Sequence, residues 1–154
     1  MLQGFEAQGA FTLPMQRESG IRELSGLPRV LIVDDQEDAA ELLGMLLADQ
    51  GYQVKLAHDG TSALALALDF RPQIALLDIG LPVLDGYQLA VLLRAMPTLA
   101  ECRLIALSGY CDDMARARSK AAGFDLHLAK PLTVDELLRA IAPPEQGHTA
   151  SAQL

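Results

Sequence analysis

Ile74-Ala75-Leu76-Leu77-Asp78-Ile79-Gly80-Leu81-Pro82 is the stretch that decides the fold. Four apolar residues run into a carboxylate, and a turn follows at once. A short apolar run bounded by a turn reads as a buried strand. Asp78 therefore stands at the carboxyl end of a core strand, a poor place for a residue kept only for solubility. A second run, Arg29-Val30-Leu31-Ile32-Val33, ends the same way, in Asp34-Asp35. Carboxylates gathered at two such strand ends suggest a site for a hard cation.

Working outward, strand-like and helix-like segments alternate. After Val33 comes a segment with Ala39, Leu43, Leu46 and Leu47 at helical spacing, stopped by Gly51. Tyr52 to Ala57 reads as a second strand, and Asp59 as the cap of a helix running to Phe70 before the Arg71-Pro72 break. Beyond Pro82, the spacing predicts a helix from Gly86 to Met96, ended by Pro97. A strand from Arg103 to Leu107 and a polar, alanine-rich helix from Asp112 to Ala122, stopped by Gly123, come next. Leu126 to Ala129 reads as a short strand. Thr133 caps a last helix with Val134, Leu137, Leu138 and Ile141 on one face, closed by Pro143-Pro144. Such alternation predicts an α/β fold: a flavodoxin-like (βα)5, doubly wound, five-stranded parallel sheet with strand order 2-1-3-4-5. In that order the first and third strands are neighbours at the switch point, so Asp34, Asp35 and Asp78 converge outside the carboxyl ends.

Composition bounds the function. The chain has 154 residues, is 51% hydrophobic and carries a formal net charge of −8. One domain with one core is the expectation, and the charge argues against a general nucleic-acid binder. No apolar run approaches the roughly 18 residues of a membrane-spanning helix, and no basic start precedes an apolar block. The reading is a cytoplasmic protein without membrane insertion. Cys102 and Cys111 lack metal-type spacing and read as reduced thiols.

The other strand ends complete the chemistry. The fourth strand leads into Ser108 and Gly109, and the fifth into Lys130 and Pro131. Crowded carboxylates repel unless a cation sits among them. Mg2+ (or Mn2+) suits oxygen donors combined with phosphate oxygens. Phosphoryl transfer needs positioning and charge stabilisation, which a metal, an ammonium and a hydroxyl provide. A carboxylate can itself be the nucleophile and form an acyl phosphate. Asp78 is the candidate phosphoacceptor, because Asp34 and Asp35 can share the metal. Asp35 reads as the direct ligand, and Asp34 as a helix cap or a ligand through water. Lys130 would place a compact charge on one phosphoryl oxygen and Ser108 a hydrogen bond on another.

Val33-Asp34-Asp35, Leu77-Asp78-Ile79-Gly80-Leu81-Pro82, Asp85-Gly86-Tyr87, Leu107-Ser108-Gly109 and Ala129-Lys130-Pro131 occur in this order. Together they resemble the receiver domain of two-component response regulators, over about Arg29 to Ile141. The resemblance implies that a histidine kinase or histidine phosphotransfer protein phosphorylates Asp78. It also implies Mg2+ held by Asp34, Asp35, Asp78 and the backbone carbonyl of Gly80, and a cis Lys130–Pro131 peptide. It further implies that Ser108 moves toward the phosphoryl group while an aromatic three residues before the lysine turns inward. That position holds His127, a departure from the usual Tyr or Phe. His127 is either a switch residue that titrates near neutrality or a half-exposed strand residue without a role. Gly80 and Tyr110 would tune hydrolysis of the acyl phosphate.

Domain expectations follow: residues 1–28 an extension or linker, 29–142 the receiver, and 143–154 a polar, disordered tail. Met15 to Leu24 reads as a short helix. Gln8 to Pro14 resembles the closing strand of a histidine-kinase ATP-binding domain, which would make the chain the C-terminal receiver of a hybrid kinase. No attached DNA-binding domain is expected after Ile141. Output is then expected through a downstream protein target, on the surface of the fourth helix, fifth strand and fifth helix. The protein is not expected to be an enzyme beyond its own phosphorylation and dephosphorylation. Two other classes compete: an interaction module that works unphosphorylated, and an aspartate-nucleophile phosphatase of the haloacid dehalogenase type. The latter wants an Asp-x-Asp pair where this chain has Asp34-Asp35-Gln36-Glu37-Asp38.

Overall fold

The structure, a computed structural model, describes residues 27–109 and 112–142. The proposed Met15–Leu24 helix, the kinase-like Gln8–Pro14 segment, Tyr110, Cys111 and the tail from Pro143 lie outside the described residues. The elements are β1 (Arg29–Val33), α1 (Glu37–Asp49), β2 (Gln53–Ala57), α2 (Gly60–Phe70), β3 (Ile74–Asp78) and α3 (Gly86–Ala95). After a 3-10 turn (Pro97–Leu99) come β4 (Arg103–Ser108), α4 (Asp113–Ala122), β5 (Leu126–Ala129) and α5 (Val134–Ile141). All five strands pair in parallel in the order β2-β1-β3-β4-β5, as the sequence predicts.

Burial explains why the central strands read as continuous apolar runs. Val30 to Val33 and Ala75 to Leu77 have no exposed surface, because helices cover both faces of the sheet. Alternate residues feed two cores. Leu31, Val33, Leu77 and Leu104 pack with Ala63 of α2, Leu89 and Leu93 of α3 and Ala122 of α4. Val30, Ile32, Leu76 and Ile105 pack with Leu47 of α1 and Leu137 and Ile141 of α5. Each fully buried Leu or Ile contributes about 1.5–3 kcal/mol of transfer free energy. At the edge, β2 alternates between exposed and partly covered positions, because successive side chains point to opposite faces of the sheet.

Local chemistry sets the helix ends. Asp59 and Asp112 accept from Ser62 N (2.7 Å) and Ala115 N (2.8 Å), and Asp85–Gln88 and Thr133–Glu136 form capping boxes. Gly123, with φ 108°, closes α4 in the left-handed region that glycine tolerates. Arg94 fastens the far end of α3. Its guanidinium donates to Gly123 O (2.7 Å) and Ala100 O (3.0 Å) and pairs with Asp125 at 2.8 Å.

Three expectations need correction. Asp34 does not cap α1: the N-cap is Gln36, without a side-chain bond, and Asp34 Oδ1 accepts instead from Gln36 N at 3.0 Å. Val134 is 45% exposed rather than on the packed face of α5, where Leu137, Ala140 and Ile141 take the core side. His127 is not half-exposed; it is buried at 7%. Several boundaries also sit one residue from the predicted ones, with Asp78 and Ser108 inside their strands.

Candidate functional site

Parallel pairing puts the carboxyl ends of β1, β3, β4 and β5 on one edge of the sheet. Ladder bonds continue past the strands to fix the loops there. Asp34 N donates to Ala57 O (3.1 Å), Ile79 N to Leu107 O (3.0 Å) and Lys130 N to Ser108 O (2.8 Å). The Lys130–Pro131 peptide is cis, as the resemblance implies.

Gly86 is demanded by close approach. A Cβ there would stand 2.6 Å from the carbonyl oxygen of Asp78 and 2.7 Å from Ile79 Cα, both backbone atoms. The first turn of α3 thus packs directly under the phosphoacceptor candidate, and Gly86 N donates to Ile79 O at 3.1 Å. Gly80 is different. An added Cβ would lie 3.8 Å from Asp78 Oδ1, in ordinary contact, so crowding does not require a glycine at that position.

Carboxylate oxygens of Asp34, Asp35 and Asp78 all lie within 4.8 Å of one another. Asp34 and Asp78 are buried, at 1% and 9% exposure, whereas Asp35 is exposed. Lys130 Nζ reaches Asp34 Oδ2 at 3.3 Å and Asp78 Oδ1 at 3.4 Å. Asp78 Oδ1 also accepts from Gly80 N at 3.1 Å. The Asp78 carboxyl is nonetheless held above its ordinary range. Burial is the leading cause and Asp34 adds repulsion, opposed by the Gly80 N–H and the Lys130 ammonium. One ammonium faces three carboxylates here. An all-oxygen donor set with excess negative charge fits a hard divalent cation.

A cavity of about 570 Å3 opens beside Asp78, lined by Gly80, Tyr87, Ser108, Met114 and Arg118 among others. Ser108 is 4% exposed at the end of β4, and His127 lies across from Ala106 on β5. Ala106 and Ser108 point the same way, so Ser108 and His127 share the sheet face that α3 and α4 cover.

Sequence reasoning gathered Asp34, Asp35, Asp78 and Lys130, and these meet directly. It missed two features of the surroundings. Arg118 stacks its guanidinium 4.1 Å over the Tyr87 ring, which meets Phe124 edge-on at 6.5 Å. Ser119, 2% exposed, lies 2.7 Å from His127 Nδ1 through its hydroxyl. Neither pair has a fixed spacing that would reveal it, and Ser119 sits in a helix whose other polar residues face solvent.

Strand order, the acidic cluster and the cis Lys-Pro together define a receiver-type phosphoacceptor fold. Comparison with known proteins agrees: the model of the response regulator receiver domain matches residues 30–142, and the chain belongs to that family. Transcriptional regulatory protein PrrA of Mycobacterium tuberculosis is 38% identical over 127 residues, which is 81% of this chain and 54% of that protein. Transcriptional regulatory protein KdpE of the same species is 33% identical, with the same coverage. The chain thus spans about half the length of these relatives. Among solved structures, chemotaxis protein CheY4 of Vibrio cholerae superposes with TM-score 0.72 at 28% identity, covering 75% of this chain and 96% of that one. The receiver domain of sensor histidine kinase PA1611 from Pseudomonas aeruginosa, which holds a magnesium ion in its active-site cleft, is 32% identical, with TM-score 0.69 and 75% and 95% coverage. Among the described residues no helix is long and apolar enough to cross a membrane.

Proposed function

We propose that Asp78 is the phosphoacceptor of this receiver domain and that its phosphorylation switches a protein-interaction surface. The observation that carries this reading is the contact of Lys130 with Asp34 and Asp78, beside an exposed Asp35. A histidine kinase or histidine phosphotransfer protein is the donor. An oxygen of the Asp78 carboxylate attacks phosphorus, the bond from phosphorus to the donor imidazole breaks, and an acyl phosphate forms. Oδ1 is engaged by Gly80 N and Lys130, which leaves Oδ2 to attack.

Asp35, Asp78 and the Gly80 carbonyl would hold Mg2+ or Mn2+, with Asp34 reaching it through water. The ion supplies charge stabilisation for the transferred oxygens. Lys130 places its ammonium against one phosphoryl oxygen, and Ser108 donates its hydroxyl to another. In this reading Ser108 and His127 report occupancy of Asp78 to the face formed by α4, β5 and α5. A downstream protein reads that face, biasing an equilibrium between two conformers. The transcriptional roles in the relatives' names are theirs, and this reading does not require them.

Incubation with a small acyl phosphate and Mg2+, followed by peptide mass spectrometry, tests the proposal. One phosphoryl group on Asp78 is expected. A metal-loaded protein that gains no mass, or gains it elsewhere, contradicts the reading. Repeated turnover of phosphomonoesters would place the chain with the aspartate phosphatases.

A further inference from the structure

The contact of Ser119 with His127 is a buried polar feature to which the phosphoryl-transfer chemistry assigns no role. Ser119 is 2% exposed on α4 and His127 is 7% exposed on β5, so both side chains are largely withdrawn from solvent. Their atoms Oγ and Nδ1 are 2.7 Å apart, a short hydrogen bond. Nδ1 is the sole hydrogen-bond partner of the Ser119 hydroxyl among the described residues. A buried hydroxyl proton needs an acceptor, so Ser119 donates and Nδ1 accepts. The imidazole proton then resides on Nε2. The neighbouring Arg118 ties the same helix to α3 through the Tyr87 ring.

We propose that Ser119 is a positioning residue: it fixes the tautomer and orientation of His127 and couples that side chain to α4. This rests on the proposed role of Asp78 as phosphoacceptor and names the contact through which its state reaches α4. A phenyl or phenol ring at position 127 would move by repacking alone. Here any swing of His127 out of its buried position breaks the bond to Ser119 or drags α4 with it. The bond therefore holds the resting conformer, and its loss releases the helix.

The test uses the full chain and four forms: wild type, Ser119→Ala, His127→Phe and the double variant. Nitrogen-15 imidazole spectra of the unphosphorylated wild type are expected to show the Nε2–H tautomer. Ser119→Ala is expected to give a tautomer mixture. It should also raise the resting population of the switched conformer about threefold to tenfold, the worth of one buried hydrogen bond. That population is read from α4 amide shifts lying between the untreated and the fully phosphorylated positions. In the His127→Phe background the same alanine change should shift nothing, because Ser119 acts through the imidazole. An Nδ1–H tautomer in wild type overturns the proposal. So does an alanine effect that persists without His127, which would be packing alone. If the alanine variant misfolds, Ser119→Cys keeps the volume with a weaker donor and must show a smaller change in the same direction. The tautomer readout needs no phosphorylation, so a wild type that stays unmodified at Asp78 refutes the phosphoacceptor reading without touching the Ser119–His127 result.

Discussion

Lys130 Nζ stands 3.4 Å from Asp78 Oδ1, and this contact crosses from β5 to the centre of the sheet. It places the compact positive charge of the acidic cluster where negative charge would gather on phosphoryl transfer. Lys130→Met should leave the fold intact and cut the rate of phosphorylation from a small donor by at least about tenfold. That corresponds to roughly 1.4 kcal/mol of lost transition-state stabilisation. Single-turnover mass spectrometry under saturating Mg2+ checks it; an unchanged rate would remove Lys130 from the chemistry.

Burial works against the charged form of the Asp78 carboxyl. That carboxyl lies above the ordinary range because of burial first and Asp34 second. A carboxyl with a raised native pKa binds its proton more tightly folded than unfolded. Stability therefore falls as pH rises from the unfolded pKa through the native one. Asp78→Asn should raise Tm of the metal-free protein at pH 7, and the gain should shrink as pH drops through the native pKa of Asp78. Thermal melts of both proteins without divalent cations decide it. A variant less stable than wild type at neutral pH would contradict the electrostatic picture. The caps Asp59 and Glu136 have the opposite sign: their carboxyls are held low, chiefly by backbone N–H donors, so their stabilisation fades on acidification.

Gly86→Ala is expected to damage stability and site together. The new methyl would meet Asp78 O at 2.6 Å and Ile79 Cα at 2.7 Å, and backbone cannot yield as a flexible side chain does. A loss of about 1–3 kcal/mol in denaturant unfolding is expected, with slower phosphorylation because the Asp78 peptide must shift. Wild-type values for both would mean that α3 approaches β3 less closely.

Val83 invites the reverse change. It is a fully exposed β-branched residue at φ 66°, in the loop between β3 and α3. Left-handed backbone costs an L-residue about 1–2 kcal/mol, and Asn tolerates it better than Val. Val83→Asn should therefore stabilise the protein by about 1 kcal/mol, since no packing is lost. Equilibrium unfolding measures it, and a loss of stability would show that the Val83 side chain has a role.

The strand order and the acidic cluster were legible because buried parallel strands leave unbroken apolar runs, and chemistry-bearing residues interrupt those runs at their ends. Asp34, Asp78, Ser108 and Lys130 each stand at such an interruption. What stayed hidden depends on contacts between distant segments. Arg94 reads as an ordinary exposed helix residue until its partners at Gly123 and Asp125 are seen. Ser119 carries no sign of burial in a helix written largely in alanine and charge. The strain at Val83 is invisible because valine is the last residue expected at positive φ. Asp34 misled for a related reason: an aspartate shortly before a helix usually caps it, but here the site takes one oxygen and Gln36 N the other.

Phosphorus-31 NMR of the protein treated with a small phosphodonor and Mg2+ tests the central claim most directly. The account predicts one protein-bound acyl phosphate resonance that hydroxylamine discharges and that Asp78→Asn abolishes. A resonance that survives in Asp78→Asn, or none in the metal-loaded wild type, would contradict it.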